Sequence, residues 1–274
     1  MKNLTRYTQT LLRVLSVLLL CLAINPASAQ PGPPPLPTVL GSPLTFWRFD
    51  DTNWLSTASF PPLVWTNLDC VPSWDGNALQ VDSPNPAGIN YKLIESNGRT
   101  NLTLESGTLC LWFKPNWTST NLDGTGPGDF GRLIDVGLYT TNAAYGWWSL
   151  NLDPAGTYLS FSAQTNGAQA TYLCAPIAWT ADAWHLITLA YSSSNSALYL
   201  DGQLATNGPG VTYWPGPGVL TNGFYLGSDY TGWQQAHGQF ENLKTWNYPL
   251  DATPSATTTP FTPPTFQTSF PTLG

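Results

Sequence analysis

The residues able to do acid–base or nucleophilic chemistry are few and scattered. The chain has two histidines, His185 and His237, and three glutamates, Glu95, Glu105 and Glu241. A Ser-His-Asp constellation needs a histidine held by a carboxylate beside a nucleophile. His185 falls in the alternating run WHLITLAY and reads as packing. His237 lies in the polar loop YTGWQQAHG and reads as solvated. Neither has a His, Cys or Glu at metal-ligand spacing. Splitting a glycosidic bond calls for two carboxylates flanking it. Glu95 and Glu105 stand apart, Glu241 has only Asn242 beside it, and Asp50-Asp51 are adjacent, so on a strand they point to opposite faces. No catalytic residue is expected. Beyond the first thirty residues the cysteines are Cys70, Cys110 and Cys174. Cys110, mid-strand in TLCLWF, reads as a small apolar filler. One disulfide plus one free thiol is left open.

Two other groups could bind a ligand. The loop NLDGTGPGD (Asn121 to Asp129) offers Asp123, Asp129 and free carbonyls, a donor set suited to calcium. It lacks EF-hand spacing, and a Gly/Pro turn with two solvated aspartates is the competing reading. The stronger group is aromatic residues in loops: Trp117 in PNWTST, Tyr145, Trp147 and Trp148 in AAYGWW, Tyr213 and Trp214 in VTYWPGPG, Tyr230 and Trp233 in SDYTGWQQ. Flat rings stack on sugar faces while nearby amides and carboxylates hold hydroxyls. Trp147 and Trp148 are neighbours, so on a strand at most one of them faces a ligand. Trp214, Trp233, Tyr230, Tyr213, Trp148 and Trp117 are the candidate ligand-binding residues, with Trp214 and Trp233 foremost. Trp112, Trp184 and Trp246 are expected in the core.

The elements that must position these residues are β-strands. The chain of 274 residues carries 13 Trp, 12 Tyr and 11 Phe with 24 Gly and 25 Pro, and only 9% of it is charged, against about 25% in an ordinary domain. β-formers and turn formers abound, and no helical periodicity runs for long. The first 29 residues read as a signal peptide: Lys2, Arg6 and Arg13, an apolar run from Val14 to Ile24, then Ala27-Ser28-Ala29. Its removal leaves six basic residues against sixteen acids, a net charge of −10. That sign argues against nucleic acid and anionic lipid as partners. A secreted or surface location without membrane insertion is expected.

Residues 30–43 hold a Pro-rich segment, 44–250 a single β domain, and 251–274 a Thr/Pro-rich tail or linker, a hint of further domains. Strands are expected at Leu44 to Asp50, Ala78 to Asp82, Ile89 to Ile94, Gly107 to Pro115, Arg132 to Gly137, Trp147 to Leu152 and Thr157 to Ala163. The last two flank an Asp153-Pro154-Ala155-Gly156 turn. Residues 184 to 205 read as a three-stranded meander closed by Asp201-Gly202. Phe224 to Ser228 and Gly238 to Trp246 complete the set. Ten or more strands in one domain imply two packed sheets. Both faces of GTLCLWFKP are apolar, as for a strand between two layers.

Five pieces, in order, resemble a laminin G-like / concanavalin A-like lectin-glucanase domain: TFWRFDD, GNALQVD, GTLCLWFKPNW, Trp184-His185 with LYLDGQLA, and FYLGSD with GQFENLKTWNYPL. The resemblance implies an all-β, two-sheet antiparallel jelly-roll-like β-sandwich. It also implies that a glycosidase on this scaffold would carry Glu and Asp alternating on one strand, and no strand here does. Glu241-Asn242 stand where the family often has Asp-Glu or Asp-Asp. The expectation is a noncatalytic lectin-like module for a polysaccharide or glycoconjugate. The alternatives are a structural or adhesion module that binds protein and, behind it, a glycoside hydrolase. A fold shared by many functions does not choose among them.

Overall fold

The computed structural model describes residues 42–250; the signal-peptide reading, most of the Pro-rich segment and the Thr/Pro tail fall outside them. Fifteen strands are described: β1 (Thr45–Trp47), β2 (Val64–Thr66), β3 (Asp69–Ser73), β4 (Gly76–Val81), β5 (Gly88–Tyr91), β6 (Gly107–Pro115), β7 (Gly131–Gly137), β8 (Trp147–Leu152), β9 (Tyr158–Thr165), β10 (Ala168–Pro176), β11 (His185–Tyr191), β12 (Asn195–Leu200), β13 (Gln203–Pro209), β14 (Phe224–Leu226) and β15 (Gly238–Trp246). They form two antiparallel sheets. The first runs β13-β12-β11-β6-β15-β4-β3, with β1 also on β15; the second runs β10-β9-β8-β7-β14-β5-β2.

One core lies between the sheets. Leu109, Leu111 and Phe113 of β6 and Ile187, Leu189 and Tyr191 of β11 face Trp148, Leu150, Leu159 and Phe161 of β8 and β9 across it. Alternation puts every second residue of the central strands into this layer and the others outside it. The apolar outer face of β6 has a different cause from the one its sequence suggests. Among the described residues Cys110 and Trp112 meet no third layer. They lie under Leu186 and Trp246, with Trp184 and Leu250 packed against them. Trp112 and Trp246 are thus buried in this small cluster and Trp184 only partly, beside Lys114.

The meander over 184 to 205 is present as β11-β12-β13. Asp201 and Gly202 have φ of 52° and 78°, the pair of positive values that a type I′ hairpin turn demands. β8 and β9 are joined where Asp153 Oδ1 accepts the N–H groups of Thr157 and Tyr158. Some expected strands are shorter. The first ends at Trp47 because Phe49 takes φ of 67°, and the one expected over Ile89 to Ile94 ends at Tyr91. β10 breaks alternation at a bulge between Thr171 and Leu173, which hides it from a period-two reading. Cys70, Cys110 and Cys174 are all free thiols, so no disulfide joins them. Burial pushes the Cys110 thiol up to about 11, the behaviour of an inert core group.

Candidate functional site

The outer face of the second sheet carries the arrangement best suited to a ligand. On β8, inward Trp148, Leu150 and Leu152 leave Trp147, Ser149 and Asn151 outside; on β9, inward Leu159, Phe161 and Ala163 leave Ser160, Ser162 and Gln164 outside. Strand register lines these up in rungs. Arg132, Asn151 and Ser160 form one; Asp135, Ser149, Ser162 and Thr171 the next; Trp147, Gln164 and Gln169 the third. A groove of about 530 Å³ lies over the rungs, walled by Phe130, Tyr139, Trp147 and Gln234. Its size is that of a small-molecule site.

The wall is held by aromatic and charged contacts. Tyr139 and Phe130 are each nearly half exposed. Tyr139 meets Trp147 edge-on at 5.1 Å. The Arg132 guanidinium lies 5.6 Å from the Phe130 ring centre and 5.0 Å from that of Trp147. Its Nε and Nη2 both donate to Gln234 Oε1, at 2.9 and 2.6 Å. Beneath it, Asp135 accepts the Trp147 indole N–H at 2.7 Å and pairs with Arg132 at 3.8 Å. Burial pushes the Asp135 carboxyl up to about 6, against the pull of Arg132 and the hydrogen bonds from Ser149 and Trp147. The part of the floor on β9 and β10 is uncharged: Ser162 and Thr171 share a hydrogen bond at 2.9 Å, and the Gln164 amide reaches Gln169 Oε1 at 2.8 Å. Rings above and hydroxyls with carboxamides below are the means by which proteins hold sugars.

Comparison with known proteins agrees with this architecture. A family model described as the concanavalin A-like lectin/glucanases superfamily matches residues 88–254. The chain belongs to that superfamily. Domain 4 of AbnA, a GH43 extracellular arabinanase from Geobacillus stearothermophilus solved in complex with arabinotriose, is similar at 16% identity and a TM-score of 0.54, over 77% of this chain and 95% of that one. The receptor binding domain of botulinum neurotoxin type G is similar at 10% identity and 0.54, over 78% and 49%. A Trypanosoma rangeli sialidase is similar at 16% and 0.51, over 76% and 31%. The chain thus spans about half of the neurotoxin domain and a third of the sialidase. At these identities the likeness is one of fold. No curated protein sequence matches significantly.

Within this superfamily scaffold none of the six expected aromatic residues lines the groove, and two are corrected outright. Trp148 is fully buried against Phe161 and Tyr191, because the parity of β8 turns it inward and its neighbour Trp147 outward. Trp117 plugs one end of the sandwich: it is 5% exposed, stacks on Trp179 and donates to the Ala236 carbonyl. Tyr213 and Trp214 are half-buried against the core. Trp214 lines a separate cavity of about 880 Å³ whose walls include Leu63, Leu93, Ile94, Leu102 and Leu104. That cavity is larger than the groove and more apolar, although Lys92, Thr103, Glu105 and Asn247 also line it. Tyr230 and Trp233 are about half exposed. Their loop is tied by Asp229 Oδ1, which accepts from Thr231 and from the Trp233 N–H, and the next residue is the groove's Gln234. Asp123 ends a short 3-10 turn with φ of 61°, and Asp129 accepts the Phe130 N–H. Among the described residues, no three His, Cys, Asp or Glu side chains gather as a metal-holding group.

Both histidines have carboxylate partners that sequence reading did not supply. His185 Nδ1 lies 2.9 Å from Asp201 Oδ2, while Asp201 Oδ1 accepts the Leu186 N–H. The ring stacks on Trp179 at 4.5 Å, and its Nε2 is buried with no hydrogen-bond partner. His237 Nδ1 lies 2.8 Å from Asp82 Oδ1. In His185 the third member of a triad is lacking, and the pair fastens the β12–β13 turn to β11.

A third grouping joins residues far apart in the chain. Arg48 pairs with Asp50 at 2.7 Å and with Asp75 at 3.4 Å. The Asn242 amide lies between Asp75 Oδ2 and Glu241 Oε1, at 3.4 and 3.3 Å, and Ser73 donates to Glu241 Oε2. A Cβ on Gly76 would strike Asp50 Oδ1, so the cluster is packed around the β3–β4 turn. Burial, with Asp75 and Asp50 adding, pushes the Glu241 carboxyl up to about 7; Ser73 and Arg48 oppose it. A raised carboxyl stabilises the fold in its protonated form. That contribution is complete below the unfolded value of 4.5 and is lost as pH rises through about 7. Glu241→Gln is therefore expected to melt higher than the parent at pH 8 and to show a flatter melting temperature between pH 5 and 8. Parallel melting curves for the two proteins across that range would contradict it.

Proposed function

We propose that the chain is a noncatalytic carbohydrate-binding module, exported from the cell, whose ligand lies in the groove over β7 to β10. The observation that carries this reading is the groove itself: the exposed rings of Phe130 and Tyr139, backed by the buried Trp147, above a floor of Ser, Thr, Asn and Gln. The arabinotriose-bound arabinanase domain supports it as a fold neighbour. A noncatalytic role is supported by the lining, which holds no carboxylate pair to act as acid and base or nucleophile. Among the described residues no helix is long and apolar enough to cross a membrane.

The competing reading, a protein-binding adhesion module, draws on Leu63, Val64, Trp65 and Ile94, all 46% exposed or more around the edge strand β2. Retention of the full chain on a panel of insoluble polysaccharides, with calcium and with chelator, separates the two. Retention on at least one polysaccharide is expected; none under either condition would sink the glycan reading. A requirement for calcium would show that a cation belongs to the site.

A further inference from the structure

Taking the groove as a glycan site, we propose that it selects neutral sugars over acidic ones and that Gln234 sets this preference. Arg132 is the one charged side chain in the lining. An acidic sugar would be gripped by a guanidinium through its fork, two parallel N–H donors on one carboxylate or sulfate. Here the Nε and Nη2 donors of that fork both end on Gln234 Oε1. The guanidinium carbon lies over the Phe130 and Trp147 rings. Its charge is already met by Asp135 at 3.8 Å. Asp229 and Asp129 also act on it, so carboxylates outnumber the cation at this end of the groove.

A sugar carboxylate entering the groove would meet that surplus with the Nε–Nη2 edge of Arg132 already taken by Gln234, and would lose its hydration. A neutral sugar faces no such cost. Its hydroxyls both donate and accept, as do the hydroxyls and carboxamides of Asn151, Ser160, Ser162 and Gln169. The backbone turn at Gln234, with φ of 51°, aims its side chain at Arg132. The parallel bridge from Arg132 to the neighbouring Gln235 holds the two segments together. Gln234 is therefore a specificity-determining residue whose carboxamide occupies the place an acidic group would take.

The test uses matched backbones: galactan with polygalacturonate, mannan with polymannuronate, and glucan with polyglucuronate. Each is titrated into the full-length protein at low and high sodium chloride. The neutral member of a pair is expected to bind at least tenfold more tightly, and its affinity to change little with salt. Gln234→Ala, which frees the Nε–Nη2 edge of Arg132, is expected to shift the acidic-to-neutral affinity ratio about tenfold toward the acidic member. Gln234→Ser serves if the alanine variant does not fold. An acidic member that binds as well as its neutral partner, or a ratio that Gln234 variants do not move, overturns the proposal. Failure of the wild type to bind any of the six polymers instead overturns the glycan-binding reading on which it rests.

Discussion

Arg132→Leu is expected to destabilise the protein by about 3–5 kcal/mol, the cost of leaving a buried charge without its partner. Arg132 and Asp135 are 4% and 2% exposed, so water cannot replace the lost ion pair. The substitution also strips both donors from Gln234 Oε1 and leaves the Phe130 and Trp147 rings without the cation beside them. At 2–4 °C per kcal/mol for a domain of this size, the melting temperature should fall by roughly 10 °C. The deficit should depend on pH. Asp135 is already raised to about 6; without Arg132 it rises further, and the uncharged acid is easily buried. The variant should therefore approach the parent near pH 5 and fall furthest behind near pH 8. Adding Asp135→Asn removes the orphaned charge and should restore most of the loss at pH 8. A single variant whose deficit is the same at pH 5 and pH 8, or a double variant no better than the single, would contradict the buried pair.

Ser162→Trp is expected to weaken glycan binding about a hundredfold, or roughly 2.8 kcal/mol, at 1.4 kcal/mol per tenfold, without loss of fold. Ser162 sits at the middle of the floor, outward on β9, between Ser149 on β8 and Thr171 on β10. Tryptophan is at home on a strand, and here it would point into the groove and fill it. The parent serine contributes one hydrogen bond, to Thr171, so its loss costs the fold little. Isothermal titration of parent and variant, with circular dichroism to check folding, measures the effect. Equal affinities would mean that the ligand lies elsewhere.

The sandwich was readable where strands keep a strict alternation and turns carry their signature residues. WHLITLAY splits cleanly into Ile187, Leu189 and Tyr191 inside and Leu186, Thr188 and Ala190 outside, and Asp201-Gly202 closes the hairpin. The same rule fails at β10, where adjacent Tyr172 and Leu173 are both buried at a bulge. Half of the site was also present in sequence, as the polar halves of WWSLNL and YLSFSAQT. Those positions look like an ordinary solvent face. Only their register into three rungs, under a wall contributed by other segments, makes them a floor. Attention to loop aromatics instead led to six residues, Trp214 and Trp233 foremost, of which Trp148 and Trp117 are core. The choice between Trp147 and Trp148 rested on parity, and parity could have been read from Leu150 and Leu152, which share the inward face with Trp148.

The remainder was not readable, because it depends on which distant segments meet. Arg132 and Gln234 are 102 positions apart. Asp50, Asp75 and Glu241 meet only because β1 and β4 both pair with β15. A bulge between Glu241 and Lys244 gives Asn242 a φ of 56° and brings its amide between two carboxylates. Such contacts follow from sheet order, which no local pattern encodes.

The most direct measurement of where the ligand binds is backbone amide shift mapping of the protein during titration with a soluble fragment of a retained polysaccharide. The largest shifts are expected along Trp147 to Asn151, Ser160 to Gln164 and Gln169 to Thr171, with Gln234 at the wall. Shifts confined to the Trp214 cavity, to the Tyr230–Trp233 loop away from Gln234, or to the Trp112 and Trp246 face of the first sheet would contradict the groove as the binding site.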